Sequence, residues 1–324
     1  MNNIVVIGAG QLGSRHLQAL SKVSFQATIE VVDPFAASLE VAKARFEEMP
    51  VNLNIVDIRY VTSVSQLSKK VDLAIIATNA DVRADVIHQL VTHCEVKTLV
   101  LEKILFQKTD EYLEIQSLLK QKEIKAWVNH PRRMFPYYAK LSKLLEGSKQ
   151  VSYQVQGGDW GLACNGLHFI DHLAFLTGCD VLEVNTVGLN PSIISSRRKG
   201  YFEVSGALAG KVGQHPFELF CHKDVSPVVI TICADNLNAI IDEGNDWVRI
   251  ATKENGWRWV EEKTKIIYFQ SELSNKFAED IIEKGQCDLP TFAEAAKLHI
   301  PFINAMLAHI NRYGVEKHTA CPIT

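Results

Sequence analysis

The sequence lacks the long apolar runs that membrane-spanning segments require. No stretch of its 324 residues approaches the roughly 18 consecutive apolar residues of a candidate transmembrane helix. It also lacks a basic segment followed by a hydrophobic stretch near Met1, which is the pattern of a secretory signal peptide. These absences predict a soluble, cytoplasmic protein with no membrane partner.

An excess of charge of one sign is missing as well. The 34 Lys and Arg residues nearly balance the 37 Asp and Glu residues, which leaves a formal net charge of −3. Such a chain has no strong field with which to attract nucleic acid or an anionic membrane. The expected partner is therefore a small molecule.

The seven cysteines lack the spacing of disulfide frameworks and structural zinc sites. They are odd in number and widely scattered, and no two of them form a Cys-x-x-Cys pair. Reduced thiols are expected, as in most cytoplasmic proteins. With 47% hydrophobic and 22% charged residues, the composition is that of a folded globular chain.

The length of 324 residues predicts two domains, since domains cluster at roughly 100 to 200 residues. Residues 1–130 alternate β-rich runs with amphipathic helical patterns, which favours a doubly wound parallel sheet of the Rossmann type. The predicted strands are 4–7, 29–32, 73–77, 98–101 and 126–128, and the predicted helices are 36–46, 82–91 and 112–119.

Residues 131–324 are predicted to form a second, α+β domain. Pro131 and Pro136 interrupt the alternation, and after one helix over 167–176 several β-rich runs follow without helical spacers. These runs are 181–189, 202–208, 217–221, 228–234, 239–241 and 247–251. Short connections favour a large, mostly antiparallel open sheet. A C-terminal helix over 291–313 is expected to pack back on the first domain.

A glycine-rich motif, Gly8-Ala9-Gly10-Gln11-Leu12-Gly13, directly follows the first predicted strand and opens a helix. In this context Gly8 permits the tight turn, Gly10 lets backbone amides approach a pyrophosphate, and Gly13 lets the helix pack closely on the strand. The helix N-terminus favours the anion. The motif predicts dinucleotide contacts from Gly8, Gly10, Gln11, Leu12 and Gly13; the alternative is a plain strand-to-helix turn.

Three further residues are predicted to bind the dinucleotide. Asp33, twenty residues beyond Gly13, ends the second strand, where a carboxylate accepts hydrogen bonds from the adenine ribose and repels a 2′-phosphate. NAD is therefore preferred over NADP, unless Asp33 only starts the next helix. Thr78 and Asn79 follow the strand over 73–77 at the edge where ligands lie, although Asn79 is equally placed to cap the helix near Asp81.

Taken in order along the chain, the motifs resemble those of the Gfo/Idh/MocA oxidoreductases. They are Gly8 to Gly13 followed by Arg15-His16, then Ala77-Thr78-Asn79, Glu102-Lys103, Arg132-Arg133, and Gly166-Leu167-His168-Phe169-Ile170-Asp171. The resemblance implies a C-terminal domain whose open sheet often mediates oligomerisation, here a homodimer or homotetramer. It also implies NAD(P)-dependent redox chemistry at a CH–OH group of a sugar, polyol or sugar derivative, including nucleotide-activated and acidic ones.

The resemblance assigns catalysis to Lys103 and His168. Lys103 matches the lysine of the family's Glu-Lys-Pro motif and can protonate the oxygen of the carbon that exchanges hydride; Glu102 before it is assigned to the cofactor. Because Ile104 replaces the proline, the cis peptide often found there is expected to be absent. His168 matches the family's acid or base histidine. Without the resemblance, Lys103 is explained as part of a solvated turn and His168 as a half-buried histidine of a helix.

The family's aspartate four residues before this histidine is replaced here by Cys164. Because a thiol is a poorer acceptor, Asn165 or Asp171 is expected to orient His168. These two residues and Arg132 are the predicted substrate contacts. Arg132, Arg133 and the basic loop 197–199 are the candidates for contact with an anionic group, although such a loop is more often only solvated.

Two other functions remain open. Cys164 and Ile104 break two family patterns, which leaves a dinucleotide-binding sensor or a redox-neutral enzyme as the alternative. His168 and His172 lie four residues apart, a spacing that lets two histidines share a metal ion, so a metal-dependent hydrolase is the weaker alternative. No third ligand is identifiable in the sequence, and no metal is expected.

Overall fold

The computed structural model describes residues 1–324. Their contacts divide the chain into two units, which do not correspond to two continuous segments. The first unit comprises Met1–Phe106, Asp110–Pro131 and Tyr268–Ala293, and the second comprises Gln107–Thr109, Arg132–Ile267 and Glu294–Thr324. The N-terminal part of the first unit ends next to the predicted boundary at residue 130. Residues 268–293, which lie within the predicted second domain, also belong to the first unit.

The first unit contains a six-stranded parallel sheet in the order β3-β2-β1-β4-β5-β6. The strands are β1 (Asn2–Ile7), β2 (Ala27–Val32), β3 (Ile55–Val61), β4 (Lys70–Ile76), β5 (Glu95–Leu101) and β6 (Lys125–Val128). Its helices are α1 (Gln11–Leu20), α2 (Ala36–Glu47), α3 (Arg83–His93), α4 (Thr109–Gln121) and α7 (Ser274–Lys284). The strand order reverses between β1 and β4, and ligands of doubly wound sheets bind at such a switch point. The predicted Rossmann fold is confirmed.

The degree to which a strand is buried explains whether its sequence predicted it. Ile4, Val5 and Val6 of β1 are fully buried, as expected for a central parallel strand covered on both faces, and such strands have continuous apolar sequences. β3 is an edge strand in which apolar residues alternate with charged ones, such as Asp57 and Arg59. It was not predicted, because a half-exposed edge strand lacks a continuous apolar run.

Polar contacts explain why residues 268–293 belong to the first unit. The Ser274 hydroxyl lies 2.8 Å from Nδ1 of His16, and the Asn129 amide donates to the Gln270 side chain at 2.7 Å. The segment after α7 also accepts a backbone hydrogen bond, from the N–H of Val128. These contacts join the segment to α1 and to the end of β6.

The second unit contains an eight-stranded sheet in the order β16-β15-β14-β13-β7-β12-β11-β8. Its strands are β7 (Val151–Gly158), β8 (Leu182–Asn185), β11 (Gly206–Val212), β12 (His215–His222), β13 (Ser226–Ala234), β14 (Leu237–Asp242), β15 (Trp247–Thr252) and β16 (Val260–Lys263), and a separate hairpin pairs β9 (Ile194–Ser195) with β10 (Phe202–Glu203). Every neighbouring pair in the large sheet is antiparallel except β7 and β12. The mostly antiparallel sheet is confirmed, although its central strand β7 was not predicted.

The helices of this unit are α5 (Pro136–Leu145), α6 (Leu162–Thr177) and α8 (Phe292–Tyr313). The first two residues of α8 belong to the first unit. α6 packs on the sheet: a Cβ atom on Gly166 would lie 3.6 Å from Leu219 of β12 and 3.2 Å from Phe302 of α8. The helix predicted over 291–313 is therefore present, and from Glu294 onward its residues belong to the second unit. That it packs back on the first domain stays a prediction. No helix is both long and apolar enough to cross a membrane.

Candidate functional site

The turn between β1 and α1 requires two of its glycines for steric reasons. Gly8 has a φ of +94°, and a Cβ atom there would lie 2.9 Å from the carbonyl carbon of Ala77. A Cβ atom on Gly13 would lie 1.7 Å from the carbonyl oxygen of Gly8. Gly8 thus makes the turn and Gly13 lets α1 pack on it, as the motif predicts.

Gly10 is different, because the protein itself does not exclude a side chain there. A Cβ atom on Gly10 would meet nothing within 4 Å, and the residue is the exposed N-cap of α1 without a side-chain capping bond. The first backbone N–H groups of a helix have no partner within the helix, and they favour an anion. The space over Gly10 is thus open to an anion such as the pyrophosphate of a dinucleotide, and contacts from Gln11 and Leu12 stay predictions.

Asp33 is held beside this turn by two backbone hydrogen bonds. One carboxylate oxygen accepts from the N–H of Ala9 at 2.8 Å, and the other accepts from the N–H of Phe35 at 2.9 Å. Because each carboxylate oxygen carries two acceptor sites, Asp33 can also receive the hydroxyl groups of a ribose. The contact with Phe35 lies just before α2, whose N-cap is Phe35 rather than Asp33. Binding of the adenine ribose by Asp33 stays a prediction.

Arg45 of α2 also reaches the glycine-rich turn, and the sequence analysis missed it. Its guanidinium donates to the Ser14 hydroxyl at 2.5 Å and to the Gln11 side chain at 2.7 Å. No arginine directly follows Asp33, and Arg45 lies further along the chain, within α2. Nothing in the local pattern of α2 indicates that Arg45 returns to α1.

Arg83 organises the ends of β4 and β5. It is 1% exposed and donates to the carbonyl oxygens of Thr78, Ile104 and Leu105, the last at 2.7 Å. Thr78 is half-buried and Asn79 is exposed at this edge. α3 begins at Arg83 and is capped by Val82 without a side-chain bond, so Asn79 does not cap it.

Glu102 lies in a buried hydrogen-bond network rather than on an open surface. It is 3% exposed and accepts from Nε2 of His16 at 2.8 Å and from the Asn129 amide at 2.5 Å. Burial favours a higher pKa for Glu102, but the hydrogen bonds from His16 and Asn129 outweigh it and lower the pKa. Contact between Glu102 and the cofactor stays a prediction.

Lys103 follows as a half-buried residue. The peptide bond between Lys103 and Ile104 is cis. The expectation that this bond is trans because Ile104 replaces a proline is therefore wrong.

In the second unit, a cavity of about 440 Å³, here called the His168 cavity, brings together three of the predicted site residues. They are Arg132, Asn165 and His168, and the wall is completed by Trp160, Phe169, Pro227, Val228, Asp242, Glu243, Gly244, Asn245 and Ile267. Aromatic rings and polar groups thus face one space, as in many small-molecule sites.

Arg132 is already paired within this cavity. Its guanidinium donates to both carboxylate oxygens of Glu243, at 2.8 and 2.5 Å, and lies 4.2 Å from the centre of the Phe169 ring. Burial favours a lower pKa for Arg132, but Glu243 outweighs it and raises the pKa. Because the charge of Arg132 is balanced, its expected contact with an anionic substrate group is not supported; it holds Glu243 in the wall.

Asp171 is not among the residues that line the cavity. It is fully buried, and Arg133 donates to its carboxylate at 2.8 to 3.1 Å. Burial raises the pKa of Asp171 against the lowering effect of Arg133. The predicted substrate contact is therefore corrected to an internal ion pair that joins α6 to the segment before α5.

The first turn of α6 faces a second cavity of about 530 Å³, here called the larger cavity. The N–H groups of Ala163 and Cys164 donate to the Glu203 carboxylate at 2.8 and 3.2 Å, and the Asn165 amide donates to the carbonyl of Trp160 at 2.6 Å. Cys164 and Glu203 line the larger cavity, whereas Asn165 and Trp160 line both cavities.

His172 lies inside the protein, next to two tyrosines. It is fully buried, its Nδ1 lies 2.9 Å from the Tyr153 hydroxyl, and its ring centre lies 3.9 Å from that of Tyr138. His172 does not line the His168 cavity, and no group of three or more His, Cys, Asp and Glu side chains is arranged to hold a metal ion. The geometry does not support a site shared by His168 and His172.

Sequence comparison agrees with the geometry of the first unit. Residues 2–130 match the family model described as an oxidoreductase family with an NAD-binding Rossmann fold, the Gfo/Idh/MocA model. No curated protein sequence matches the chain.

Solved structures share the fold over nearly the whole chain. An oxidoreductase from Agrobacterium radiobacter, solved with NAD+, L-tartaric acid and magnesium, is 12% identical, with a TM-score of 0.75 over 96% of this chain and 97% of that one. The UDP-N-acetylglucosamine 3-dehydrogenase GnnA from Acidithiobacillus ferrooxidans is 14% identical, with a TM-score of 0.69 over 95% and 97%. The transcriptional regulator Gal80p from Kluyveromyces lactis is 16% identical, with a TM-score of 0.69 over 96% and 92%. At these identities the likeness shows the fold alone.

The contrast between Gly10 and Gly13 gives a first prediction. Gly10→Val should fold normally but bind NADH roughly 100-fold more weakly, because its side chain fills the space above the helix N-terminus and removes charge-assisted hydrogen bonds. Gly13→Ala should instead lower the melting temperature, because its Cβ collides with the Gly8 carbonyl. NADH fluorescence titration and thermal unfolding measure the two effects. Unchanged NADH affinity in folded Gly10→Val would exclude this turn as the pyrophosphate site.

Asp33 gives a prediction about cofactor choice. Asp33→Ala should narrow the preference for NAD over NADP at least roughly tenfold, because it removes both the ribose acceptor and the charge that repels a 2′-phosphate. Asp33→Asn separates the two effects, since it retains an acceptor oxygen without the charge. Dissociation constants for NADH and NADPH measure the preference, and a wild-type protein that prefers NADPH would contradict the assignment.

The buried His172 gives a prediction about pH. Burial, and to a lesser extent the charge of Arg132, lower the pKa of His172 well below its usual value. The unfolded chain therefore takes up a proton at His172 below about pH 6.5 while the folded chain does not, so stability falls as the pH falls below that value.

The matched variants are His172→Gln and His93→Gln, the second on the surface of α3. In urea unfolding between pH 6.5 and 5, His172→Gln should reduce the slope of the free energy of unfolding against pH by up to about 1.4 kcal/mol per pH unit. The control His93→Gln should retain most of the wild-type slope. The remaining slope is expected from other histidines whose pKa burial lowers, His215 and His309. Equal slopes for wild type and His172→Gln would show that His172 does not titrate as described.

Proposed function

We propose that the chain, whose residues 2–130 match the Gfo/Idh/MocA oxidoreductase model, is an NAD(H)-dependent dehydrogenase or reductase of a sugar, polyol or sugar derivative. The observation that carries the proposal is the His168 cavity, in which a histidine, an amide and aromatic rings line one space. A sugar-like molecule presents hydroxyl groups to polar side chains and apolar C–H faces to rings. The cavity provides both kinds of surface.

The first unit supplies the groups that would hold the dinucleotide. The backbone at Gly10, Gln11 and Leu12 would bind the pyrophosphate, and Asp33 would bind the adenine ribose. Thr78 and Glu102 are further proposed contacts, with Asn79 beside them. NAD rather than NADP is proposed on the position of Asp33.

Lys103 and His168 are proposed to handle the proton of the reacting hydroxyl group. The bound nicotinamide accepts or supplies the hydride. In oxidation, a side chain takes the proton from the substrate oxygen, and in reduction it returns the proton to that oxygen. A histidine suits this role because its usual pKa lies near neutral pH, and a lysine ammonium can also hold the oxygen by a hydrogen bond.

A dinucleotide-binding sensor is the second candidate. Cys164 favours it, because the thiol stands where related enzymes carry an aspartate, and the similar fold of the regulator Gal80p is compatible with it. A sensor binds NADH without consuming it, whereas an enzyme changes its absorbance. Location in the cytoplasm and a homodimer or homotetramer formed through the large sheet also stay proposals.

The test is a screen of sugars, polyols, sugar acids and nucleotide-sugars for a change in nicotinamide absorbance. With an active substrate, Lys103→Met and His168→Ala should each lower turnover roughly 100-fold, since positioned proton transfer contributes about 10² to 10⁴ in rate. NADH affinity should stay nearly constant, because it depends on the glycine-rich turn and Asp33.

Lys122→Met and His93→Ala, which change a lysine and a histidine outside the proposed site, are the matched controls and should keep full turnover. If NADH binds and no compound in the screen alters its absorbance, the sensor becomes the leading function. If a substrate is found and either Lys103→Met or His168→Ala retains full turnover, the proton role of that residue is excluded.

A further inference from the structure

The larger cavity adjoins the His168 cavity but is not needed for the proton chemistry proposed above. Both cavities belong to the second unit, and Trp160 and Asn165 line each of them. A molecule that extends beyond the reacting sugar could therefore continue from one cavity into the other past these two side chains.

The charges around the larger cavity favour an anion. Arg197, Arg198 and Lys223 face two acidic residues, Asp159 and Glu203. Both carboxylates have protein partners. Glu203 accepts the two backbone N–H groups at the start of α6, and Asp159 accepts from Arg197 at 2.6 Å. With three cations against two carboxylates, the lining has a net charge of +1.

The size of the larger cavity indicates more than one small anionic group. Its volume of about 530 Å³ lies within the range of about 300 to 1,000 Å³ that accommodates drug-sized ligands. A lone phosphate or carboxylate group would leave most of this space to water. Serine hydroxyls at 192, 195 and 196 add hydrogen-bond donors, which suit phosphate oxygens and ribose hydroxyls.

We propose that the larger cavity binds the nucleoside diphosphate portion of a nucleotide-activated sugar, while the sugar ring occupies the His168 cavity. This inference rests on the proposed function, because it names the substrate class of the same site. Arg198 and Lys223 contact the diphosphate, Arg197 closes one side through its ion pair with Asp159, and Trp160 separates the two parts of the substrate.

The first experiment measures binding of UDP, CDP and GDP by calorimetry. Saturating NADH is present throughout, so that the dinucleotide site is filled. At least one of the three nucleotides should bind, and the double variant Arg198→Ala/Lys223→Ala should weaken it at least roughly tenfold, because hydrogen bonds to charged groups are among the stronger ones. NADH affinity should not change.

Lys199→Ala is the matched control. Lys199 is exposed in the same loop but does not line the cavity, so this variant should bind the nucleotide as wild type does. Inorganic phosphate and gluconate are the comparison ligands for a small anion and a sugar acid. If either binds as tightly as every nucleoside diphosphate, the nucleoside contributes nothing and the proposal is overturned.

A second experiment locates the ligand without relying on turnover. Cys164 lines the larger cavity, whereas Cys233 is exposed on β13 outside it. The bound nucleotide should slow alkylation of Cys164 by iodoacetamide and leave the rate at Cys233 unchanged. Equal rates at Cys164 with and without a bound nucleotide would place it elsewhere and overturn the proposal.

The two proposals fail in different ways. Nucleotide binding that depends on Arg198 and Lys223, without turnover of any nucleotide-sugar, supports the cavity assignment and contradicts the dehydrogenase function. Turnover of an uncharged sugar by a protein that binds none of the three nucleotides supports the function and overturns the inference about the larger cavity.

Discussion

The hydrogen bond between His16 and Glu102 is the interaction on which the arrangement of the first unit depends. The two side chains are 0% and 4% exposed and lie 2.8 Å apart. His16 belongs to the helix that follows the glycine-rich turn, and Glu102 directly follows β5 and precedes Lys103. A buried carboxylate is costly unless it has partners, so this contact ties the dinucleotide helix to the strand that carries the proposed catalytic lysine.

The same bond explains why the first unit is discontinuous. Nδ1 of His16 is bonded to Ser274, and the Asn129 amide, which donates to Glu102, also donates to Gln270. A buried polar group left without its partner costs about 1 to 3 kcal/mol. Residues 268–293 therefore complete a network that the continuous N-terminal segment leaves unfinished. On the other side of Lys103, Arg83 holds the carbonyls of the next two residues, so the backbone around the lysine is fixed from both directions.

The parts of the molecule that could be predicted are those whose cause is local. The turn of residues 8–13 follows from steric requirements within a few residues, and β1, β4 and β5 follow from continuous apolar runs. β7 was missed because its outward residues, Gln154 and Gln156, are polar and it ends in two glycines. The partners of Arg132 and Arg133 lie 111 and 38 residues away. No local pattern shows that these arginines are already paired, which is why Arg132 and Asp171 were predicted to meet the substrate.

The pairing of these two arginines determines where charge can be recognised in the second unit. Arg132 and Glu243 balance each other in the wall of the His168 cavity, and Arg133 balances Asp171 inside the protein, so neither arginine contributes a free positive charge to the reacting end. The other cations that line a cavity of this unit are Arg197, which pairs with Asp159, and Arg198 and Lys223. A substrate with an uncharged reacting end and an anionic distal end would therefore bind in one orientation only. Binding energy from the distal end can then be used to position the reacting carbon. An uncharged sugar that fills only the His168 cavity would have to be positioned by its hydroxyl groups alone.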